Sequence, residues 1–258
     1  MEKQTRTLQH RVEELRQAKF LGVPIDNFER GGREQLIFLL MNGLAPDSKV
    51  LDIGCGVLRA GYWLIHFLDA GCYFGIEPSA ERLAIGLQAI LEPHVRETKR
   101  PRFDANTTFD TSVFHETFDY YLAYSVWTHP LKQESAVMLD NFVRDASDDG
   151  VFLATFLPAD WRHADYDGDQ WVGTSHESDA PGCIHHSFRW IRSECRRRGL
   201  SLRLLGRDTT HGQTWPRISR ADSSPRFSDL SLRSPSSYWL YRVARGIKRL
   251  VRRRSPEA

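Results

Sequence analysis

The chain has 258 residues, 41% of them hydrophobic and 26% charged, the balance of a globular protein that buries one sizeable core. No apolar run approaches the roughly 18 residues of a membrane-spanning helix, and the start MEKQTRTLQHRVEELRQ lacks the apolar stretch of a secretory signal. Four cysteines, Cys55, Cys72, Cys183 and Cys195, stand far apart without CxxC spacing, which argues against a disulfide framework or a zinc ribbon and leads us to expect reduced thiols in a cytoplasmic protein.

The net charge of +2 is unevenly spread. Arg242, Arg245, Lys248, Arg249, Arg252, Arg253 and Arg254 crowd the span from Tyr238 to Arg254, which contains no acid. With these seven cations set aside the rest of the chain carries −5, so the basic character belongs to the C-terminal tail and not to the body.

In chain order, residues 2–19 read as a polar helix with Leu8, Val12 and Leu15 on one side. After a break at Gly22 and Pro24, a second helix is expected over 32–44, where Leu36, Ile37, Leu39, Leu40 and Met41 predict burial. Pro46 then stops it. From there strands and helices alternate, the pattern of a parallel sheet covered on both faces. Strands are expected over 49–53, 72–76, 102–105, 118–124, 151–157, 201–205 and 213–218. Helices are expected over 62–68, 80–91, 133–146 and 188–198, the last with Ser187 as N-cap and Gly199 past its end. The Asp148-Asp149-Gly150 stretch reads as a turn.

The sharpest motif is Val50-Leu51-Asp52-Ile53-Gly54-Cys55-Gly56, with Gly61 behind it. A buried strand runs into two glycines, which let backbone approach a ligand, and a helix follows at once. In an open parallel sheet this turn is where nucleotide-like ligands sit. A dinucleotide site would show a third glycine at position 59, where this chain has Arg59. That weighs against a nicotinamide-dependent oxidoreductase, and no Gly-Lys-Ser/Thr follows to make a phosphate-binding loop. The second motif, Tyr73-Phe74-Gly75-Ile76-Glu77-Pro78, ends a strand in a carboxylate 23 residues beyond Gly54, where an acid can accept hydrogen bonds from both hydroxyls of a ribose.

VLDIGCG with GIEP downstream resembles the cofactor motifs of the class I, Rossmann-like methyltransferases that use S-adenosylmethionine (SAM). Residues 118–129 and 150–156 look like the fourth and fifth strands of that fold, and the resemblance spans roughly residues 33–218. It implies an α/β, doubly wound, mostly parallel sheet of seven strands whose last strand is antiparallel. It also implies SAM as cofactor, with Gly54, Cys55 and Gly56 along the methionine part, Asp52 near its amino group and Glu77 on the ribose. Asp110, beside Phe109, is the candidate for the adenine amine, with Asp104 and Asn106 as competitors. Ser125 falls at the mouth of the site. A SAM-binding scaffold without turnover shares all these features and stands as the alternative function.

The acceptor is less legible. A hydroxyl acceptor calls for a general base, most often histidine, and His129 lies just past the fourth strand; the competing reading is a histidine that braces the loop. The motif that accompanies amino methylation of bases or glutamine, Asn/Asp-Pro-Pro-Tyr, is missing after this strand. We therefore expect a small-molecule, sugar or lipid-linked acceptor with oxygen favoured. Residues 158–186 form a long insertion. Its His163, His176, Cys183, His185 and His186 lack the paired spacing of a zinc site, so no metal is expected. A lid over the acceptor pocket fits better, with Trp161, Tyr166 and Trp171 as its apolar surface. In the tail, Trp239, Leu240, Val243, Ile247, Leu250 and Val251 recur at helical spacing among the cations. This basic amphipathic helix suits either peripheral contact with an anionic membrane or docking on its own domain or a partner. Nucleic acid is disfavoured by the mildly acidic body. The expected division is a helical extension over 1–31, a methyltransferase domain over 32–218, a flexible linker over 219–237 and the basic helix over 238–258.

Overall fold

The computed structural model describes residues 7–17, 27–173, 182–208 and 211–220. Its elements run α1 (Leu8–Gln17), α2 (Phe28–Met41), β1 (Val50–Ile53), α3 (Gly61–Phe67), β2 (Tyr73–Ile76), α4 (Ala80–Ile85) continuing into a π turn (Gly86–Ile90), α5 (Pro93–Lys99), β3 (Arg102–Asp104), β4 (Phe118–Ala123), α6 (Lys132–Asp145), β5 (Ala146–Ala154), α7 (Phe188–Arg197), β6 (Leu200–Arg207) and β7 (Thr214–Arg220). The basic amphipathic helix expected over 238–258, all but the first two residues of the expected linker, and His176 lie outside the described residues. Among the described residues no helix is long and apolar enough to cross a membrane.

The seven strands form one sheet in the order β3-β2-β1-β4-β5-β7-β6. β1 to β5 are mutually parallel, whereas β7 is antiparallel to both β5 and β6. The continuous apolar reading of β1 and β2 follows from this placement: every residue of both strands is buried, as helices on the two faces of a parallel sheet require. Val50, Tyr73, Tyr120 and Leu122 pack with α1, α2, α3 and the π turn on one face. Leu51, Ile53, Phe74, Tyr121 and Phe152 pack with Met138, Leu139 and Phe142 of α6 and Ile191 and Cys195 of α7 on the other. β1 pairs with β2 on one side and with β4 on the other, so the chain reverses its direction of winding between β1 and β4. In an open α/β sheet this switch point, at the carboxyl ends of the strands, is where a ligand crevice forms.

Four local differences from the sequence reading have physical causes. The helix α5 takes Pro93 at its first turn, where the missing N–H costs nothing; the reading treated these seven residues as connection. Asp148-Asp149-Gly150, read as a turn, lies inside β5, and the register shift against β4 between Phe118 and Tyr120 absorbs it. Ser219 and Arg220, assigned to the linker, complete β7. α2 begins at Phe28 and buries Phe28, Gly31, Gly32, Gln35 and Leu39, while Ile37, Leu40 and Met41 are exposed. Its buried face carries small residues because it lies against the turn after β1. A Cβ on Gly32 would stand 2.2 Å from the Arg59 carbonyl oxygen and 2.6 Å from the Trp63 ring.

That contact is with backbone, which cannot swing aside. Gly32→Ala therefore should cost about 1–3 kcal/mol of stability and lower the melting temperature by several degrees. An unchanged melting temperature would show that α2 does not press on the turn.

Candidate functional site

The turn between β1 and α3 holds three residues in the left-handed region, Gly54 at φ 70°, Gly56 at φ 57° and Leu58 at φ 65°, a conformation that the two glycines adopt without steric cost. The tightness has a second cause at Gly54, where a Cβ would meet Val126 at 2.7 Å. The backbone thus approaches the loop after β4 with no room for a side chain. Gly54 and Cys55 both donate their N–H groups to the Ile76 carbonyl, at 2.7 and 3.1 Å, tying the turn to the end of β2. The Cys55 side chain points away from the crevice into the sheet. It is buried against the space left by Gly75, whose Cβ would sit 2.9 Å from the sulfur. Burial and the nearby Asp52 and Glu77 charges push its thiol well above the usual range, so it is an inert packing group.

Glu77 ends β2 with a carboxylate that is 2% exposed. Its Oε2 accepts the Gly56 N–H at 2.9 Å and its Oε1 accepts the Ser79 N–H at 3.1 Å. Arg82 stands 3.8 Å away. Each oxygen keeps acceptor capacity beyond these bonds.

Asp52, 3% exposed in β1, accepts a 2.7 Å hydrogen bond from the Tyr73 hydroxyl of the neighbouring strand. Gly61 makes that bond possible, since a Cβ there would lie 2.7 Å from the same hydroxyl. Burial, with Glu77 adding to it, raises the Asp52 carboxyl to about 7, while the Tyr73 hydrogen bond and the Arg59 charge pull it down. Ser125 follows β4 in a left-handed conformation, φ 61°, strain held in place by its surroundings. Its N–H donates to Thr155 at 2.6 Å, its hydroxyl accepts from Gln213 at 2.7 Å, and its carbonyl accepts from the Thr128 hydroxyl at 3.1 Å.

His129 is tied to the insertion. Its backbone carbonyl accepts the Val172 N–H at 3.2 Å, and its ring Nδ1 lies 2.9 Å from the Val172 carbonyl. A carbonyl only accepts, so Nδ1 carries the proton and Nε2 keeps its lone pair. Burial lowers the His129 pKa below its ordinary value, Arg82 lowers it further, and the Val172 carbonyl opposes them. Arg82 thus acts electrostatically on both His129 and Glu77. Trp171 stacks between the two neighbours that flank the site, its centroid 6.4 Å from the His129 ring and 6.4 Å from Phe109. Trp161, expected on the same apolar surface, is 84% exposed. His163 and His185 stack on each other at 4.3 Å. His186 is fully buried with neither ring nitrogen hydrogen-bonded, and burial drives its pKa down to about 4.

Asp110 is engaged by its immediate neighbours. It accepts from the Ser112 N–H and hydroxyl at 3.0 and 2.9 Å and pairs with Arg144 at 3.1 Å, and these bonds hold its carboxyl below the usual range. Asp104, at the end of β3, accepts from the Asn106 side chain at 2.6 Å, and its carbonyl accepts the Glu77 N–H at 3.1 Å. The Asn106 amide closes the turn onto the Asp110 carbonyl at 3.1 Å.

A polar chain at the other end of the crevice was not read from the sequence. Thr155 at the end of β5 donates to Gln213 at 2.5 Å, and Tyr124 donates to Asp208 at 2.6 Å with the His211 Nδ1 3.0 Å from its oxygen. These residues meet because β7 enters antiparallel beside β5, which returns the β6–β7 connection to the carboxyl end of the parallel strands. The only sequence signal is Asp208, His211 and Gln213 clustered around Gly212 between two strands.

No protein-family model and no curated protein sequence matches the chain. Solved structures do: the glycopeptide N-methyltransferase MtfA complexed with S-adenosylhomocysteine (14% identity, 74% of this chain and 90% of that one, TM-score 0.56) and a DhpI–S-adenosylhomocysteine complex (13%, 83% and 95%, 0.55). A third is the magnesium protoporphyrin IX methyltransferase of Synechocystis PCC 6803 with bound SAM (17%, 84% and 99%, 0.54). With the strand order above, the chain has the class I, Rossmann-like methyltransferase fold.

A group whose folded pKa is raised loses stability as pH climbs through the interval between the unfolded and folded values. For Asp52 that interval runs from 3.8 to about 7. Asp52→Asn should therefore be more stable than the parent, with an advantage in melting temperature that grows from pH 5 to pH 8. A pH-independent difference would contradict the burial argument.

Proposed function

We propose that this chain binds SAM in the crevice between β1 and β4 and transfers its methyl group to an oxygen of a small-molecule, sugar or lipid-linked acceptor. The observation that carries the reading is the buried Glu77 carboxylate, fastened to the Gly56 amide beside the glycine turn and able to accept from a pair of ribose hydroxyls. The donor set fits such a ligand. Asp52 accepts from the methionine ammonium, the backbone at Gly54, Cys55 and Gly56 runs along the methionine, and Ser125 closes the mouth. On the adenine side we assign Asp110 together with the Asn106 side chain of the same turn. Arg59 in place of a third glycine disfavours a pyrophosphate.

Bound SAM supplies an electrophilic methyl on a sulfonium. The protein's part is to hold acceptor and methyl in line, which is worth several orders of magnitude in rate, and to take the acceptor's proton. His129 is assigned that proton through Nε2: with Nδ1 held by the Val172 carbonyl and the ring kept neutral by burial, Nε2 is basic at neutral pH. Such general-base assistance contributes about 10²–10⁴-fold.

Calorimetric titration with S-adenosylhomocysteine tests the cofactor. We expect binding, no heat with NADH, and a ten- to hundred-fold loss in Glu77→Ala, the order expected for removing charge-assisted hydrogen bonds. Folded protein that binds neither ligand, or a Glu77→Ala variant with parental affinity, would contradict the site.

Nitrogen-detected NMR of the histidines tests the base. His129 is expected as the Nδ1–H tautomer at pH 7 with a midpoint below 6.5, the ordinary value. An Nε2–H tautomer would remove it as the base.

A further inference from the structure

Arg59 is the residue of the glycine turn that the cofactor reading above leaves without a task. Its side chain leaves the turn after β1 and passes under α2, where a Cβ on Gly31 would stand 3.7 Å from both Cδ and Nη1. It ends with the guanidinium carbon 5.0 Å from the centre of the Tyr124 ring, one residue before Ser125 at the carboxyl end of β4. The guanidinium therefore spans the two strands that bound the crevice. Its Nη1 is buried with no hydrogen-bond partner. Burial lowers its pKa, opposed by the electrons and charges of Tyr124, Asp52, Asp208 and Glu34.

A buried cationic N–H without an acceptor costs free energy that a folded protein ordinarily avoids. The arginine fork is also shaped to bind carboxylates. Asp52, across the same turn, has a carboxyl raised by burial, and an ammonium beside it would favour its ionised form and so supply the opposite charge. A cation and an anion flanking one crevice complement a zwitterion, and the amino-acid end of the proposed cofactor is one, with an ammonium and a carboxylate on the same carbon. An uncharged or phosphate-bearing ligand would leave one of the pair unmatched.

We propose that Arg59 is the specificity residue for the carboxylate of the cofactor's amino-acid end, its Nη1 donating to that carboxylate while Asp52 takes the ammonium. The assignment rests on the SAM reading of the crevice and deepens it. It makes the site selective for the complete amino-acid end over adenosyl sulfur compounds that keep the amine and lack the acid.

The test compares S-adenosylhomocysteine with its decarboxylated analogue, which keeps the ammonium and loses only the carboxylate, by calorimetry on the full chain and on Arg59→Met and Arg59→Lys. The parent should prefer S-adenosylhomocysteine by about ten- to a hundred-fold, the scale of a hydrogen bond to a charged group. Arg59→Met, similar in length but uncharged, should lose that preference by weakening only S-adenosylhomocysteine. Arg59→Lys should recover part of it. Unliganded Arg59→Met should melt at or above the parent, because an unpaired buried charge has been removed, and a melting curve on each variant verifies that it is folded. Equal weakening of both ligands in Arg59→Met would make Arg59 a brace for the turn and overturn the proposal, as would an unchanged preference. A parent chain that binds neither ligand would overturn the cofactor reading itself, a result distinct from either of these.

Discussion

The hydrogen bond from the Gly56 amide to the Glu77 carboxylate joins the two segments on which the whole crevice depends. It requires a turn that brings backbone to the end of β2, and that turn places Gly54 and Gly56 in the left-handed region, where glycine carries no steric cost. The same turn must lie flat beneath α2, which Gly32 allows, and against Val126 of the loop after β4, which Gly54 allows. Side chains are removed wherever two pieces of backbone have to meet. What remains in the gap is a set of oriented polar groups: Glu77, Asp52 and the Arg59 guanidinium. Burial does the rest by raising Asp52 toward neutrality and by weakening the hold of Arg59 on its proton.

The residues proposed for the cofactor were legible as motifs because they fall in two short runs. Asp52, Gly54, Gly56 and Glu77 sit at two strand ends, and a strand end is visible in the sequence as an apolar run meeting glycine or an acid. The antiparallel last strand came from the family resemblance, and the strand order was not read at all, because strand pairing is a long-range property that period and composition do not encode. The partners of each site residue were not legible. Nothing in the sequence places the Tyr73 hydroxyl on Asp52, or shows that Gly61 clears the space for it. The Val172 carbonyl that fixes the His129 tautomer lies 43 residues downstream in an irregular segment. On α2 the expected burial of Leu39 holds, but Ile37, Leu40 and Met41, which look like core, are exposed, and the packed face includes Gly31 and Gly32.

The polar groups beside the glycine turn are dispersed over the ends of β4, β5 and the β6–β7 connection. Ser125, Thr155 and Gln213 form one hydrogen-bonded group, and Tyr124, Asp208 and His211 another. The strained backbone at Ser125 is held by the first group, which sets the direction of the loop that carries Val126 against Gly54 and His129 against Val172. The glycine turn and these polar groups are therefore joined through one loop of five residues, 125–129. Trp171, stacked against both His129 and Phe109, extends that coupling to the insertion.

The most direct measurement is the electron density of crystals grown with S-adenosylhomocysteine. The account predicts ligand density at the carboxyl ends of β1, β2 and β4, with the ribose hydroxyls on the Glu77 carboxylate and the amino-acid end between Asp52 and Arg59. Density for the ligand elsewhere on the protein, or a ligand in the crevice that does not touch Glu77, would contradict it.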